Sequence, residues 1–303
     1  MKLFPRSRRW RVVVSAGLLL PVLWLSISLA FVYVLTRRPH ALFAEPAPVV
    51  AWGKLEGARF ETSDGETLGA WLHRGSEDRP SVLLLHGNRG CRRDCLPAAE
   101  FFASRGSSVL LVSLRAHGDS SGDFNDFGFS AKRDVVAAVD FLEKERPGLP
   151  ILIQGTSLGA AAAIFASGEL GKRVHGYLLE SPYRDLHQAV RNRLEHYLPP
   201  MVDRVAYTGV TLVGPLILPD AERIAPIEHI AGIPATVPVV ILCGGADDRA
   251  RPFEAKELHD RIAGHSRLVV FERAKHECLL RADGDCYRHA VEPLLEAVAR
   301  QKG

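Results

Sequence analysis

Cysteine is scarce in this chain, five residues among 303, and no acidic residue occurs before Glu45. So few thiols exclude a disulfide-stapled scaffold, and an odd number leaves at least one unpaired within the chain. No internal repeat and no low-complexity tract can be found, which sets repeat architectures aside. With 47% apolar and 24% charged residues the composition is that of a folded globular protein rather than a disordered or collagen-like one. The late start of the acidic residues decides how the net charge of +3 is read. Lys2, Arg6, Arg8, Arg9, Arg11, Arg37 and Arg38 all precede Glu45, and without them 31 basic residues face 35 acidic ones. The body is therefore about −4, and the basic patch that nucleic-acid binding needs on a folded domain is missing.

Charge is also absent from residues 12–36, VVVSAGLLLPVLWLSISLAFVYVLT. Roughly 20 apolar residues span a bilayer core, and the apolar core of a cleaved signal peptide is about 7–15. The expectation is an uncleaved transmembrane anchor, with Pro21 as a tolerated kink. Five cations before it against Arg37 and Arg38 after it predict a cytoplasmic N-terminus and an extracytoplasmic body. The division that follows is a basic arm (1–11), an anchor (12–36), a proline-containing linker (37–57) and one large domain (58–303).

Within that domain, residues 58–74 alternate around Asp64-Gly65 and predict an antiparallel hairpin. Apolar runs at 82–85, 109–112, 151–153, 176–179, 237–242 and 268–271 then alternate with helix-like segments near 92–105, 130–146, 158–168, 252–263 and 287–300. Unbroken apolar strands separated by helices predict an α/β fold, a mostly parallel sheet with helices on both faces. Ligands bind such sheets outside the carboxyl ends of the strands. There, Gly155-Thr156-Ser157-Leu158-Gly159 stands between a buried strand and a helix start, the G-x-S-x-G nucleophile elbow. Asp247 and Asp248 follow one later strand and His276 the next, which is the chain order serine, acid, histidine. A serine needs a base, and the base needs a group to hold its tautomer.

On these residues the chain resembles the α/β-hydrolase superfamily. More narrowly, it is similar to membrane-anchored serine hydrolases of the serine-aminopeptidase-like and palmitoyl-protein-thioesterase-like group. The resemblance extends from residue 58 to the C-terminus. It is carried further by Leu85-His86-Gly87-Asn88, by Arg115-Ala116-His117-Gly118-Asp119-Ser120-Ser121-Gly122 and by Glu180-Ser181-Pro182-Tyr183. Ala116 stands where the family commonly has glycine. The family's G-x-x-D-x-x-x-P spacing matches Gly245, Asp248 and Pro252, so the resemblance selects Asp248 as the acid. It implies Ser157 as nucleophile, His276 as base, and the backbone N–H groups of Asn88 and Leu158 as oxyanion donors. His86 and His117 are expected to be structural.

A cap insertion is expected at about 183–224, with its uncharged stretch 205–219 either packed on the core or serving as a lid or lipid-facing surface. The expected substrate is an acyl ester or thioester, including a lipid or lipid-modified one, with no nucleic-acid partner, no cofactor and no metal. A peptidase of the same fold and a catalytically silent, membrane-anchored scaffold are the competing readings. Disulfides within Cys91/Cys95 and Cys278/Cys286 are reasonable only if the domain lies outside the cytoplasm.

Overall fold

The computed structural model describes residues 8–38 and 41–301, with side chains from Gly17 onward except Leu18. In chain order the elements are α1 (Arg8–Leu35), β1 (Glu56–Glu61), β2 (Thr67–His73), β3 (Ser81–Leu85), α2 (Leu96–Ala103), β4 (Ser108–Ser113), α3 (Lys132–Glu145), β5 (Ile151–Thr156) and α4 (Leu158–Leu170). They continue as β6 (Gly176–Glu180), α5 (Leu186–Tyr197), α6 (Val202–Val213), α7 (Pro226–His229), β7 (Val239–Gly244), α8 (Pro252–Arg261), β8 (Ser266–Phe271), α9 (Leu279–Ala282) and α10 (Gly284–Ala299).

The strands form one eight-stranded sheet in the order β1-β2-β4-β3-β5-β6-β7-β8. Pairing is antiparallel for β1 with β2 and for β2 with β4, and parallel everywhere else. This is the fold expected from the apolar runs. Every residue of β3 through β7 except Thr156 is buried, because helices cover both faces. The period of two is visible along β3: Leu83 and Leu85 belong to the core layer that also holds Val135 of α3, Ala160 of α4 and Leu258 of α8. Val82 and Leu84 point the other way, toward Phe102 of α2 and Leu294 of α10. At the β1–β2 turn Gly65 has φ +86°, a left-handed conformation that glycine adopts without a Cβ penalty.

The chain leaves β3 for β4 on one side and then crosses to β5 on the other, so strand order reverses between β3 and β5. Such a reversal opens a crevice at the carboxyl ends of the strands. Close packing at this point depends on Gly159, where a Cβ would lie 2.5 Å from the carbonyl oxygen of Leu85.

The N-terminal segment departs from expectation. Among the described residues no helix is long and apolar enough to cross a membrane, which overturns the single-pass anchor at 12–36 and the extracytoplasmic placement built on it. Instead, α1 lies against α6. Trp24 Nε1 donates to the Val205 carbonyl at 3.2 Å, and Val32 packs with Val210 and Val213. A Cβ at Gly209 would come within 2.2 Å of Ser28 Oγ, so this glycine sets how closely the two helices approach. A long apolar run was the sequence signal, and here part of its surface is covered by an apolar stretch of the same chain.

Beyond α1 the chain is seated on the domain. The Asn125 amide donates to Thr36 O and the Arg38 amide to Asp123 O, both at 2.8 Å, and the Arg38 guanidinium reaches the carbonyls of Gly118, Ser120 and Gly122. Further on, Glu45 is buried 3.1 Å from Arg92, and its carbonyl accepts from Trp71 Nε1 at 3.0 Å. All five cysteines are free thiols.

Candidate active site

Ser157 occupies the turn from β5 into α4 with φ 52° and ψ −106°. A non-glycine residue there is strained, and the tight packing of β5, α4 and β3 holds it in place. Its amide donates to the Glu180 carbonyl at 2.8 Å and its carbonyl accepts from the Ala161 amide at 3.0 Å, so both sides of the turn are fixed. Only 5% of Ser157 is exposed.

His276 follows β8, and its Nδ1 lies 2.8 Å from Oδ2 of Asp247. The other Asp247 oxygen accepts from the amides of Arg249 and Ala250, each at 2.9 Å. Burial pushes the Asp247 carboxyl up, yet the hydrogen bond and charge of His276 and those two amides outweigh it, so the group ionises below its usual range. Asp248, the acid selected by spacing, is not the partner of His276. It is half exposed and pairs with His196 Nδ1 at 2.5 Å. The turn after β7 directs Asp247 inward through its bonds to the amides two and three residues on, and its immediate neighbour leaves on the other side. A D-D pair carries no sequence signal for which member turns in.

The Gly87-Asn88 turn after β3 lies beside the elbow: a Cβ at Gly87 would be 3.8 Å from Ser157 Cβ. Asn88 is steadied by Asn125 Nδ2, which donates to its Oδ1 at 2.8 Å. Ser157, Leu158, His276, Gly87 and Asn88 all line one cavity of about 540 Å³, a volume within the range usual for small-molecule sites. Leu186, Val190 and Leu194 of α5 close another wall, and Phe31 and Leu35 bring α1 into it. Sequence reasoning missed that contribution from α1. A larger, shallower cleft of about 1020 Å³ lies beside α2 and α9 and holds none of these residues.

His86 and Arg115, from the other motifs, make contacts that hold the fold together. His86 Nε2 accepts from the Leu114 amide at 3.0 Å, so its Nδ1 carries the proton toward Gly87 O at 2.7 Å. Burial, with His117 beside it, pushes His86 down to about 3, so it stays neutral at pH 7. Arg115 bonds Asp64 and Asp134 and ties the turn after β4 to the hairpin and α3. Among the described residues no group of histidines, cysteines and carboxylates could hold a metal ion.

Beneath the elbow, Glu180 Oε1 accepts from Gln154 Nε2 at 2.9 Å and from Tyr287 OH at 2.8 Å. Burial nevertheless pushes this carboxyl up to about 7. Its folded-state value then exceeds its unfolded one, so between roughly pH 4.5 and 7 the folded state binds more protons and stability falls as pH rises. We expect Glu180→Gln to remove on the order of 2–3 kcal/mol of that fall. Urea melts of both proteins at pH 5 and pH 8 check this; equal pH dependence in the two would disprove it.

An eight-stranded sheet of this order, with a strained serine on the turn after β5 and an acid and a histidine after β7 and β8, is the arrangement of the α/β-hydrolase fold. The chain is a member of the α/β-hydrolase superfamily, and its broad activity is that of a hydrolase. Residues 76–222 match the family model Hydrolase_4, serine aminopeptidase S33. The uncharacterized protein YqkD of Bacillus subtilis is 25% identical over 231 residues, 74% of each chain. Thiohydrolase aneE of Aspergillus aculeatus is 25% identical over 296 residues, 80% of this chain and 90% of that one. Among solved structures, the Pyrococcus furiosus esterase Pf2001 superposes with a TM-score of 0.69 at 23% identity, covering 87% of this chain and all of that one.

Proposed function

We propose that the protein is a serine hydrolase that cleaves acyl esters or thioesters through an acyl-enzyme on Ser157. The observation that carries this reading is the pairing of His276 Nδ1 with the buried Asp247 carboxylate at 2.8 Å, on the wall of the cavity that Ser157 also lines. With Nδ1 donating to Asp247, Nε2 of His276 is the basic nitrogen and takes the Ser157 proton as Oγ attacks the acyl carbon. The backbone N–H groups of Leu158 and Asn88 receive the oxyanion, each such donor being worth about 10²–10³ in rate. His276 then passes its proton to the departing oxygen or sulfur, and water, deprotonated by the same histidine, releases the acid and restores Ser157. Asp247 takes the orienting role in place of Asp248.

Support for an acyl substrate comes from the lining: Phe31, Leu35, Leu186, Val190 and Leu194 offer apolar surface beside the nucleophile. The name of the Aspergillus aculeatus relative, a thiohydrolase, fits the thioester alternative. The test is incubation with a fluorophosphonate, followed by mass spectrometry of the adduct and assays on matched oxygen esters and thioesters of one acyl chain. The expected adduct is on Ser157, with turnover of at least one ester class. Folded protein without a Ser157 adduct would falsify the reading.

A further inference from the structure

The face of α5 that lines the cavity is apolar at Leu186, Ala189, Val190 and Leu194, with one cation among them. That cation is Arg193, and Arg249 from the turn after β7 joins it on the same wall. Residues three, four and seven apart share a helix face, so the α5 sequence itself places Arg193 on the wall with Leu186, Ala189 and Val190.

Neither arginine has a carboxylate within salt-bridge distance among the described residues, although nearby Arg184 pairs with Asp185 and Glu257, and Arg251 pairs with Glu195. The Arg193 guanidinium makes one long bond, Nη1 to the Ala189 carbonyl at 3.4 Å. Arg249 Nη2 donates to Tyr197 OH at 3.1 Å. Asp247 is the nearby acid, but its two oxygens are already taken by His276 and by the amides of Arg249 and Ala250. Glu277 is the acidic residue on the cavity wall, against Arg89, Arg193 and Arg249. Burial holds Arg193 below its ordinary range, and the charge of Arg249 adds to the effect. A part-buried cation beside a like charge, with no carboxylate within salt-bridge distance, is costly, and an incoming anion would relieve that cost.

Which part of the substrate carries the anion follows from the chemistry. Arg249 belongs to the turn that holds Asp247, which holds His276, and His276 protonates the departing atom. We propose that the substrate is an ester or thioester whose leaving part bears a phosphate or carboxylate held by Arg193 and Arg249, while its acyl chain lies along Phe31, Leu35 and Val190. The inference rests on Ser157 acting as the nucleophile. Cleavage leaves the acyl group on Ser157 Oγ and releases the anionic alcohol or thiol with the proton from His276.

The test compares three probes with one acyl chain, below their micellar concentrations: 1-dodecanoylglycerol 3-phosphate, O-dodecanoylglycolate and neutral 1-dodecanoylglycerol. Two readouts are kept separate, kcat/KM with the intact protein and equilibrium binding to the Ser157→Ala protein. At least one anionic probe is expected to exceed the neutral one about tenfold in both, and its identity tells phosphate from carboxylate. Arg193→Gln and Arg249→Gln are each expected to reduce that ratio about tenfold, as loss of a charge-assisted bond does. Arg249 is part-exposed, so its variant serves should Arg193→Gln fail to fold. Equal handling of charged and neutral probes, or a ratio unmoved in folded Arg249→Gln, overturns the proposal. Arginine-dependent binding without any turnover or Ser157 adduct would instead keep the anion site and remove the hydrolase reading.

Discussion

Ser157→Ala is expected to lower kcat/KM on any ester the protein cleaves by about 10⁵–10⁶-fold and to abolish fluorophosphonate labelling. The size of the expected effect comes from the loss of the oxygen on which the proposed acyl-enzyme forms. What survives is the contribution of oxyanion donors and substrate binding, about 10³–10⁴ over water. This substitution separates chemistry from folding unusually well. The strain at Ser157 lies in its backbone, φ 52°, and alanine leaves that strain as it was. The hydrogen bonds that fix the turn, Ser157 N to Glu180 O and Ala161 N to Ser157 O, are main-chain bonds that alanine also makes. A melting temperature within about 2 °C of wild type is therefore expected, since a change of 1 kcal/mol moves a large domain by roughly 2–4 °C. Retention of more than a hundredth of the activity in purified Ser157→Ala protein would remove Ser157 from the nucleophile's place.

Much of this arrangement is legible in the sequence. A buried parallel strand writes itself as an unbroken apolar run, because both of its faces are covered. The runs at 82–85, 109–112 and 151–153 accordingly fall inside β3, β4 and β5. The elbow was legible for a related reason: glycines flanking a serine between a strand and a helix answer a steric demand, visible in the 2.5 Å approach at Gly159. The placement of α1 was not legible. An apolar face looks the same in sequence whether lipid or another helix covers it, and the small residues Ser28 and Gly209, which let α1 and α6 meet, lie 181 positions apart. The arginines of the cavity were hidden for a similar reason. A charged residue on a helix such as α5 reads as a solvated face, and only the turn after β7 and the approach of α1 make Arg193 part of an enclosed wall.

The adjacent pair Asp247 and Asp248 gives the sharpest separation between a spacing rule and a geometry. Asp247→Asn is expected to lower kcat by about 10⁴, and Asp248→Asn to change it less than about threefold, the scale of a weak exposed ion pair. The argument turns on which proton each atom can offer. Oδ1 of Asp247 accepts from the Arg249 and Ala250 amides. In Asp247→Asn the side-chain oxygen stays with those amides, and the NH₂ group then faces His276 Nδ1. A donor in that position forces Nδ1 to accept, which moves the imidazole proton to Nε2, the nitrogen that has to take the proton from Ser157. The histidine is still present and correctly placed, but in the wrong tautomer. Asp248 can lose its charge without any such effect, because its partner is His196 at the surface. Steady-state kinetics and the rate of fluorophosphonate labelling, measured on both variants with matched melting temperatures, decide between them. A large loss in Asp248→Asn with near-normal Asp247→Asn would return the orienting role to the residue that spacing selects. It would also require the turn after β7 to rearrange when substrate binds.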